Sequence, residues 1–154
     1  MGKRVLDVCC GAKMFYFDKN NPDVEFCDNR TLDDTLCDGR KLEIHPDTVA
    51  DFTDLPFESE SFYVVVFDPP HLVQVGEKSW LAKKYGKLPS DWQTLIRKGF
   101  EECMRVLKPN GVLVFKWSEV DITVSEIIKT VGKEPVLGHK SGKLNKTHWL
   151  LFMK

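Results

Sequence analysis

The sequence has no apolar run that approaches the roughly 18 to 20 residues of a membrane-spanning helix. Its opening residues lead directly into a short apolar segment and lack the pattern of a secretory signal peptide. Its five cysteines are an odd number and include no Cys-x-x-Cys pair, which argues against a disulfide framework and against a zinc site. We therefore expect a reduced, cytoplasmic protein without a membrane partner and without a bound metal.

Charge is nearly balanced over the 154 residues, with a formal net charge of −1, but it is distributed unevenly. Residues 1–77 contain 7 Lys and Arg against 16 Asp and Glu, whereas residues 78–154 contain 15 against 7. A basic half of this kind suits contact with phosphates, although ordinary solvated surface explains it equally well. A length of 154 residues is typical of one domain, and no segment repeats, so we expect a single domain over residues 1–154.

The clearest local signal is the segment 62–72, FYVVVFDPPHL. Its first six residues are apolar or aromatic and predict a strand buried on both faces of a parallel sheet. Asp68 ends the run, and Pro69 and Pro70 cannot extend a strand because they lack a backbone N–H. The Asp68 carboxylate, the two prolines and the ring of His71 should therefore lie at the C-terminal end of a strand, where open α/β sheets bind ligands.

An earlier strand end carries a second group of candidates. Residues 3–8, KRVLDV, predict a short strand with Asp7 near its end, followed by Cys9, Cys10 and Gly11. Small residues let a ligand approach the backbone closely, while the carboxylate can hold a cationic group. The segment has one glycine where a dinucleotide-binding fingerprint has three, so this motif alone is weak evidence.

Two further strands end in acids. The strand within residues 23–30 ends at Asp28, about 20 residues after the first strand, where an acid hydrogen-bonds ribose hydroxyls in nucleotide-binding folds. An Asx turn at Asp28 is the alternative interpretation. Residues 48–52, TVADF, predict a third strand, and we expect its Asp51 and Phe52 to contact an adenine ring.

The remaining segments complete an alternating order of strands and helices. The pattern predicts a hairpin with a turn at Asp38-Gly39, a helix over 91–107, a turn over 108–111, a strand over 112–117, a helix over 122–131, and final strands over 134–138 and 147–153. With right-handed crossovers, this order predicts a doubly wound α/β sheet that is mostly parallel.

Residues 72–92 combine lysines with aromatic residues in a long connection beside the Asp68 strand end. Long connections at such positions are usually functional, and this composition suits a lid over an aromatic, phosphate-bearing substrate. A helix-loop-helix packed by Trp80 and Trp92 is the alternative. Lys116 and Trp117, beyond the end of a later strand, are expected to border the site, but the sequence assigns them no role.

Together, VLDVCCG, the acid of FCDNR, ADFTDLPF, VVVFDPPHL and LKPNGVLVFKW resemble the ordered motifs of class I S-adenosylmethionine-dependent methyltransferases. The resemblance covers nearly the whole chain and implies S-adenosyl-L-methionine as cofactor and a Rossmann-like sheet of seven strands with an antiparallel last strand. It also implies the cofactor-binding residues: Asp7, Cys9, Cys10 and Gly11 for the methionine end, Asp28 for the ribose, and Asp51 and Phe52 for the adenine.

The DPPH turn is similar to the (Asp/Asn/Ser)-Pro-Pro-aromatic motif of enzymes that methylate exocyclic amines of nucleobases, notably adenine N6. This resemblance implies catalytic roles for Asp68, Pro69, Pro70 and His71, and DNA or RNA as the partner. Asp68 and the Pro69 carbonyl would accept hydrogen bonds from the amine, and His71 would stack on an extruded base.

Several features leave other functions open. His71 replaces the commoner aromatic residue of the motif, and no separate target-recognition region is evident, so a partner protein that confers specificity or a homodimer is compatible with the sequence. Methylation of a small molecule or a protein, and a non-catalytic subunit that binds the cofactor, are the alternatives.

Overall fold

The computed structural model describes residues 2–154. The strands are β1 Val5–Asp7, β2 Val24–Asp28, β3 Leu32–Thr35, β4 Lys41–Ile44, β5 Thr48–Val49, β6 Phe62–Phe67, β7 Leu107–Ser118, β8 Leu137–Ser141 and β9 Thr147–Met153. The helices are α1 Trp80–Tyr85, α2 Trp92–Val106 and α3 Val124–Val131. No helix within residues 2–154 has the length and apolar character needed to cross a membrane.

Seven strands form one sheet in the order β5-β2-β1-β6-β7-β9-β8, while β3 and β4 form a separate hairpin. Strand β9 is antiparallel to both of its neighbours, β7 and β8, and the other pairs in the sheet are parallel. The predicted seven-stranded, mostly parallel sheet with an antiparallel last strand is therefore confirmed. The order reverses between β1 and β6, so the C-terminal ends of these two strands flank the switch point of the sheet.

One face of the sheet forms the main core. Residues that pair directly across neighbouring strands share a face, and one such row runs from Leu6 through Val65 and Leu113 to Phe152. All four are fully buried against α2 and α3 in the largest hydrophobic cluster. Helix α2 contributes Ile96 and Phe100 to this cluster, and α3 contributes Ile127. Apolar residues at helical spacing thus cover this face.

The opposite face of the sheet is covered differently. Its residues, such as Val64 and Val112, are only half-buried, and neither α2 nor α3 packs on this side. The two connections that cross this face contain no helix. Residues 8–23 cross part of the face as a loop, with Tyr16 packed edge-on against Phe26 at 4.8 Å, and residues 29–47 contain the β3–β4 hairpin.

Three predicted boundaries were wrong. The third strand stops at Val49 rather than residue 52, because the Asp51 carboxylate accepts hydrogen bonds from the backbone N–H and hydroxyl of Thr53 and turns the chain. Strand β7 begins at Leu107, directly after α2, and residues 108–111 form an irregularity between two pairs of partners on β6. Strand β8 spans Leu137–Ser141 instead of 134–138, since it starts only after Pro135, which has no N–H to donate.

Gly99 sets how closely α2 approaches the sheet. A Cβ at this position would lie 2.5 Å from Cδ2 of Phe52 and 2.8 Å from Cζ of Phe67. We expect Gly99→Ala to lower the free energy of unfolding by about 1 to 3 kcal/mol, because overpacking outweighs the gain of about 1 kcal/mol in helix propensity. Urea denaturation of this variant measures the effect. The control is Lys98→Ala on the exposed side of the helix, and an unchanged or higher stability of Gly99→Ala would contradict the close approach.

Candidate functional site

The C-terminal ends of β1, β2, β6 and β7 border a cleft of about 450 Å³. This volume lies within the range of small-molecule sites, about 300 to 1,000 Å³. Nine of the residues predicted from the sequence line it: Cys9, Cys10, Gly11, Asp28, Phe52, Asp68, Pro69, Pro70 and His71. The fold thus brings together residues from strand ends that are far apart in the sequence.

Direct hydrogen bonds connect the ends of β1 and β2. The backbone N–H of Gly11 donates to Oδ2 of Asp28 at 2.9 Å, and that of Cys10 donates to the carbonyl of Cys27 at 2.9 Å. Gly11 has a φ of 49°, a left-handed conformation that glycine adopts without steric cost. Oδ1 of Asp28 accepts from the backbone N–H of Arg30 at 3.1 Å, so the chain itself fixes this carboxylate at the cleft wall.

Asp7 does not reach the cleft, contrary to the sequence prediction. Its side chain is 1% exposed, and its Oδ1 accepts from the backbone N–H of Cys9 at 3.2 Å. Its Oδ2 and the hydroxyl of Tyr16 are both buried, and neither forms a hydrogen bond of normal geometry within residues 2–154. Burial raises the pKa of Asp7 to about 7, although the nearby Tyr16 hydroxyl and the backbone N–H of Cys9 act in the opposite direction. Asp7 therefore lies behind the wall that Cys9 forms.

The third strand supplies one of its two predicted residues. Phe52 is 7% exposed, lines the cleft and packs edge-on against Phe67 at 5.3 Å. Asp51 is exposed, lies outside the cleft lining, and its carboxylate is bound to Thr53 at 2.7 Å. This structure therefore places the aromatic ring of Phe52 at the cleft but not the carboxylate of Asp51, which was expected to contact adenine.

Asp68 forms an ion pair that the sequence did not indicate. Its Oδ2 accepts from Nζ of Lys116, on the neighbouring strand β7, at 3.2 Å. Burial raises the pKa of Asp68, and the charge and hydrogen bond of Lys116 oppose that rise. The ammonium of Lys116 also lies 4.8 Å from the ring centroid of Phe15 and 5.9 Å from that of Trp149. Lys116 is thus held between a carboxylate and two aromatic rings.

His71 completes the turn after β6. Its ring centroid lies 5.7 Å from that of Tyr85 and 6.3 Å from that of Trp117. Burial, together with the positive charge of Lys116, lowers the pKa of His71 to about 4. The imidazole is therefore neutral at pH 7 and presents an aromatic ring rather than a cation.

Residues 73–87 form a segment whose two ends lie next to each other. The backbone N–H of Leu88 donates to the carbonyl of Leu72 at 2.8 Å, closing the base of the segment. At its start, Oδ2 of Asp121 accepts from the backbone N–H groups of Val73 and Gln74 at 2.7 and 3.0 Å. The two ends are thus anchored to the body of the domain.

Helix α1 within this segment covers the DPPH turn. Lys83 pairs with Asp34 of the β3–β4 hairpin at 2.8 Å, and its carbonyl accepts from Nη1 of Arg30 at 2.6 Å. Gly86 lies so close to Pro70 that a Cβ would be 2.9 Å from its Cγ. Helices α1 and α2 form the helix-loop-helix of the alternative interpretation, in which Trp92 packs in the core and Trp80 is 42% exposed. The role of the segment as a substrate lid stays a prediction.

Neither a protein-family model nor a curated protein matches this sequence. Solved structures match its fold. A TehB-like SAM-dependent methyltransferase from Corynebacterium glutamicum aligns with a TM-score of 0.59 at 13% identity, over 99% of this chain and 80% of the other. A SAM-dependent methyltransferase from Methanosarcina mazei aligns with a TM-score of 0.57 at 11% identity, over 100% and 94%.

A third match is the 1,6-didemethyltoxoflavin-N1-methyltransferase of Burkholderia thailandensis, with bound 1,6-didemethyltoxoflavin and S-adenosylhomocysteine. Its TM-score is 0.53 at 13% identity, over 97% of this chain and 70% of the other. The fold is that of SAM-dependent methyltransferases. At these identities the likeness concerns the fold and leaves the substrate open.

Several cleft residues received no role from the sequence: Met14, Phe15, Asn29, Arg30, Leu42 and Lys116, whereas Lys84 and Lys87 belong to the segment 72–92 that was predicted as a lid. Lys116 carried a usable signal, because it is the one charged residue in the otherwise apolar run 112–117. A charged residue in a buried strand is rarely placed there without a partner. Phe15 and Arg30 carried no comparable signal, since their approach to the cleft depends on loop geometry.

The raised pKa of Asp7 makes the stability of the fold depend on pH. An unfolded Asp has a pKa of about 3.9, and the folded value is about 7. Between these values the folded state binds a proton that the unfolded state has lost, so stability falls as pH rises from 4 to 7. We expect Asp7→Asn to remove most of this fall and to melt several degrees above the wild type at pH 8.

Melting temperatures recorded from pH 4.5 to pH 8 check this expectation. The exposed Asp18, whose carboxylate accepts from the backbone N–H of Asn20 at 2.9 Å, provides the matched control Asp18→Asn. Asparagine can keep that contact, so the control should follow the wild type over the whole range. Parallel curves for Asp7→Asn and the wild type would show that Asp7 is ionised at low pH in the folded protein.

Proposed function

We propose that this protein is an S-adenosylmethionine-dependent methyltransferase that methylates an exocyclic amine of a nucleobase, adenine N6 above all, in DNA or RNA. The observation that carries the proposal is the placement of Asp68, Pro69 and Pro70 at the end of β6, in the same cleft as Gly11 and Asp28. Acceptors for an amine and a wall suited to a nucleoside thus share one cavity.

The cleft has groups that suit the cofactor. Oδ2 of the Asp28 carboxylate accepts one backbone N–H, from Gly11, and keeps a lone pair for a ribose hydroxyl, while Oδ1 accepts from both the backbone N–H and Nε of Arg30. Phe52 offers an apolar wall for the adenine, and the Cys9–Gly11 segment would face the methionine part. When bound, S-adenosyl-L-methionine supplies an electrophilic methyl group on its sulfonium.

Asp68 and Pro69 are suited to activate a weak nucleophile. The lone pair of an exocyclic amine is delocalised into the base, so the nitrogen must be drawn toward tetrahedral geometry before it can attack. Two acceptors aimed at its two N–H bonds favour that geometry, and Oδ1 of Asp68 with the Pro69 carbonyl can supply them. As the N–C bond forms and the C–S bond breaks, the nitrogen becomes positive, and its proton is then lost to water.

His71 supports an aromatic substrate. Its neutral ring, next to Tyr85 and Trp117, can stack on a base that has left its helix or strand. Arg30, Lys84 and Lys87 also line the cleft and would attract the phosphates of a polynucleotide. These cations favour a nucleic acid over a cationic protein side chain as the substrate.

A small aromatic molecule is the second candidate substrate. The turn is covered by α1, and one protein of the same fold binds 1,6-didemethyltoxoflavin, a small molecule. A covered cleft suits such a substrate without any change in the segment. Selective methylation of small heteroaromatic amines, with no label on nucleic acid, would favour this candidate.

Transfer of label from S-adenosyl-L-methionine tests the proposed function. The purified protein is incubated separately with duplex DNA, single-stranded DNA and total RNA, and the digested nucleosides are identified. We expect label in N6-methyladenosine or its deoxy form. Label on another nucleoside would correct the target base, and no label, with cofactor binding intact by calorimetry, would contradict the nucleic-acid substrate.

Asp68→Ala separates catalysis from cofactor binding. Because Asp68 would contact the amine and not the cofactor, we expect kcat/KM to fall by at least about 100-fold, the usual effect of losing a group that stabilises the transition state. The cofactor Kd should change only a few-fold, as calorimetry would show. Asp28→Ala is the comparison, and it should weaken cofactor binding.

Two results would argue against these roles. Loss of cofactor binding in step with activity in Asp68→Ala would show that Asp68 belongs to the cofactor site. Unchanged activity of a larger complex that contains Asp68→Ala would instead identify the protein as a non-catalytic subunit.

A further inference from the structure

Lys116 occupies a position that the proposed amine chemistry does not by itself require. It is half-buried at the C-terminal end of β7 and lies beside Asp68, because Phe115 of β7 pairs directly with Phe67 of β6. The next residue after each of them, Asp68 after Phe67 and Lys116 after Phe115, therefore lies beside the other. Their side chains are 19% and 22% exposed.

We propose that Lys116 is a positioning residue, which holds Oδ2 of Asp68 so that Oδ1 alone is presented to the substrate N–H. This inference rests on the proposed function. Its geometric basis is the 3.2 Å contact between Nζ of Lys116 and Oδ2. Within residues 2–154, that contact is the one hydrogen bond of the Asp68 carboxylate.

The ammonium of Lys116 is itself fixed from the other side. Phe15 and Trp149 pack edge-on with ring centroids 5.2 Å apart, and the ammonium lies within 6 Å of both rings. Such cation–π contacts stabilise a positive charge away from bulk water. These ring contacts and its 19% exposed side chain distinguish Lys116 from a fully exposed surface lysine.

The countercharge matters because a carboxylate is a stronger hydrogen-bond acceptor than a carboxylic acid. Burial favours the protonated acid, in which one oxygen carries an O–H and only the carbonyl oxygen still accepts. The opposite charge of Lys116 favours the carboxylate. Lys116 therefore affects the pH range over which Asp68 is ionised and accepts most strongly from the N–H of the amine.

Other charged groups around the cleft act on Asp68 less directly. The titratable and charged groups that line the cleft with it are Cys9, Asp28, Arg30, the neutral His71, Lys84, Tyr85 and Lys87, and the buried Asp7 lies behind the wall. Within residues 2–154, Lys116 alone is in hydrogen-bond contact with the Asp68 carboxylate. Its removal should consequently affect Asp68 more than removal of either other lysine.

The matched variants are Lys116→Met, which keeps the length of the side chain without its charge, and Lys116→Arg, which keeps the charge. Lys116→Gln serves as a second neutral variant if the first does not fold. The control is Lys84→Met, at the same cleft but outside hydrogen-bond contact with Asp68. All are compared in the full chain.

Carboxyl NMR titration of Asp68 is the readout that does not need activity. We expect the pKa of Asp68 to rise by about one unit or more in the neutral variants, as for loss of an adjacent opposite charge, and to stay near the wild-type value in Lys116→Arg and Lys84→Met. An unchanged pKa in the neutral variants would overturn the proposal even if the protein has another substrate than the one proposed.

The pH profile of methyl transfer is the second readout. Because the ionised carboxylate is the stronger acceptor, we expect activity to fall on the acid side, and this limb should move to higher pH in the neutral variants. We expect kcat to fall there with little change in the cofactor Kd, and Lys116→Arg to restore the wild-type profile. Superimposable profiles for Lys116→Met and the wild type would overturn a positioning role.

Discussion

Two consecutive prolines directly after a fully paired strand constrain the whole site. Strand β6 lies in the middle of the sheet, between β1 and β7, and its ladder of hydrogen bonds must stop where Pro69 and Pro70 have no N–H to donate. The turn is therefore rigid and sits at the switch point of the sheet. Helix α1 then packs on Pro70 through Gly86, so the same turn also positions the segment above the cleft.

The second feature of the site is a cluster of acids at neighbouring strand ends. Asp7, Asp28 and Asp68 end β1, β2 and β6 or follow directly after them. Burial raises the pKa of Asp7 and that of Asp68. The hydrogen-bond partners of the three carboxylates differ within the described part of the chain: Asp28 is bound by backbone N–H groups and by Arg30, Asp68 is paired with a lysine, and Asp7 has one oxygen without a hydrogen bond. Three identical side chains thus occupy three different hydrogen-bonding environments.

The sheet is covered unevenly, and this affects where the site can form. Helices α2 and α3 bury one face, while the other is crossed by the loop of residues 8–23 instead of a helix. That loop brings Phe15 toward Lys116 and Tyr16 onto Phe26. A connection that does not form a helix thus supplies the aromatic contacts on one side of the cleft, as α1 supplies Tyr85 on the other.

The sequence by itself determined the elements and most of the strand ends. Continuous apolar runs and turn residues are local signals, which is why β6, β9, α2 and the β3–β4 hairpin could be placed, and why Asp28 and the DPPH turn were expected at one edge. Boundaries failed where a side chain made its own hydrogen bonds, as at Asp51, or where pairing slipped, as at residues 108–111.

Only the tertiary structure decided which of these residues meet. Whether an acid at a strand end faces the cleft depends on register and on what covers it, so Asp28 and Asp7 look alike in sequence and differ in the fold. The pairing of Lys116 with Asp68 joins residues 48 positions apart. It follows from the adjacency of β6 and β7, because sequence pattern specifies local structure but strand order and packing bring distant side chains together.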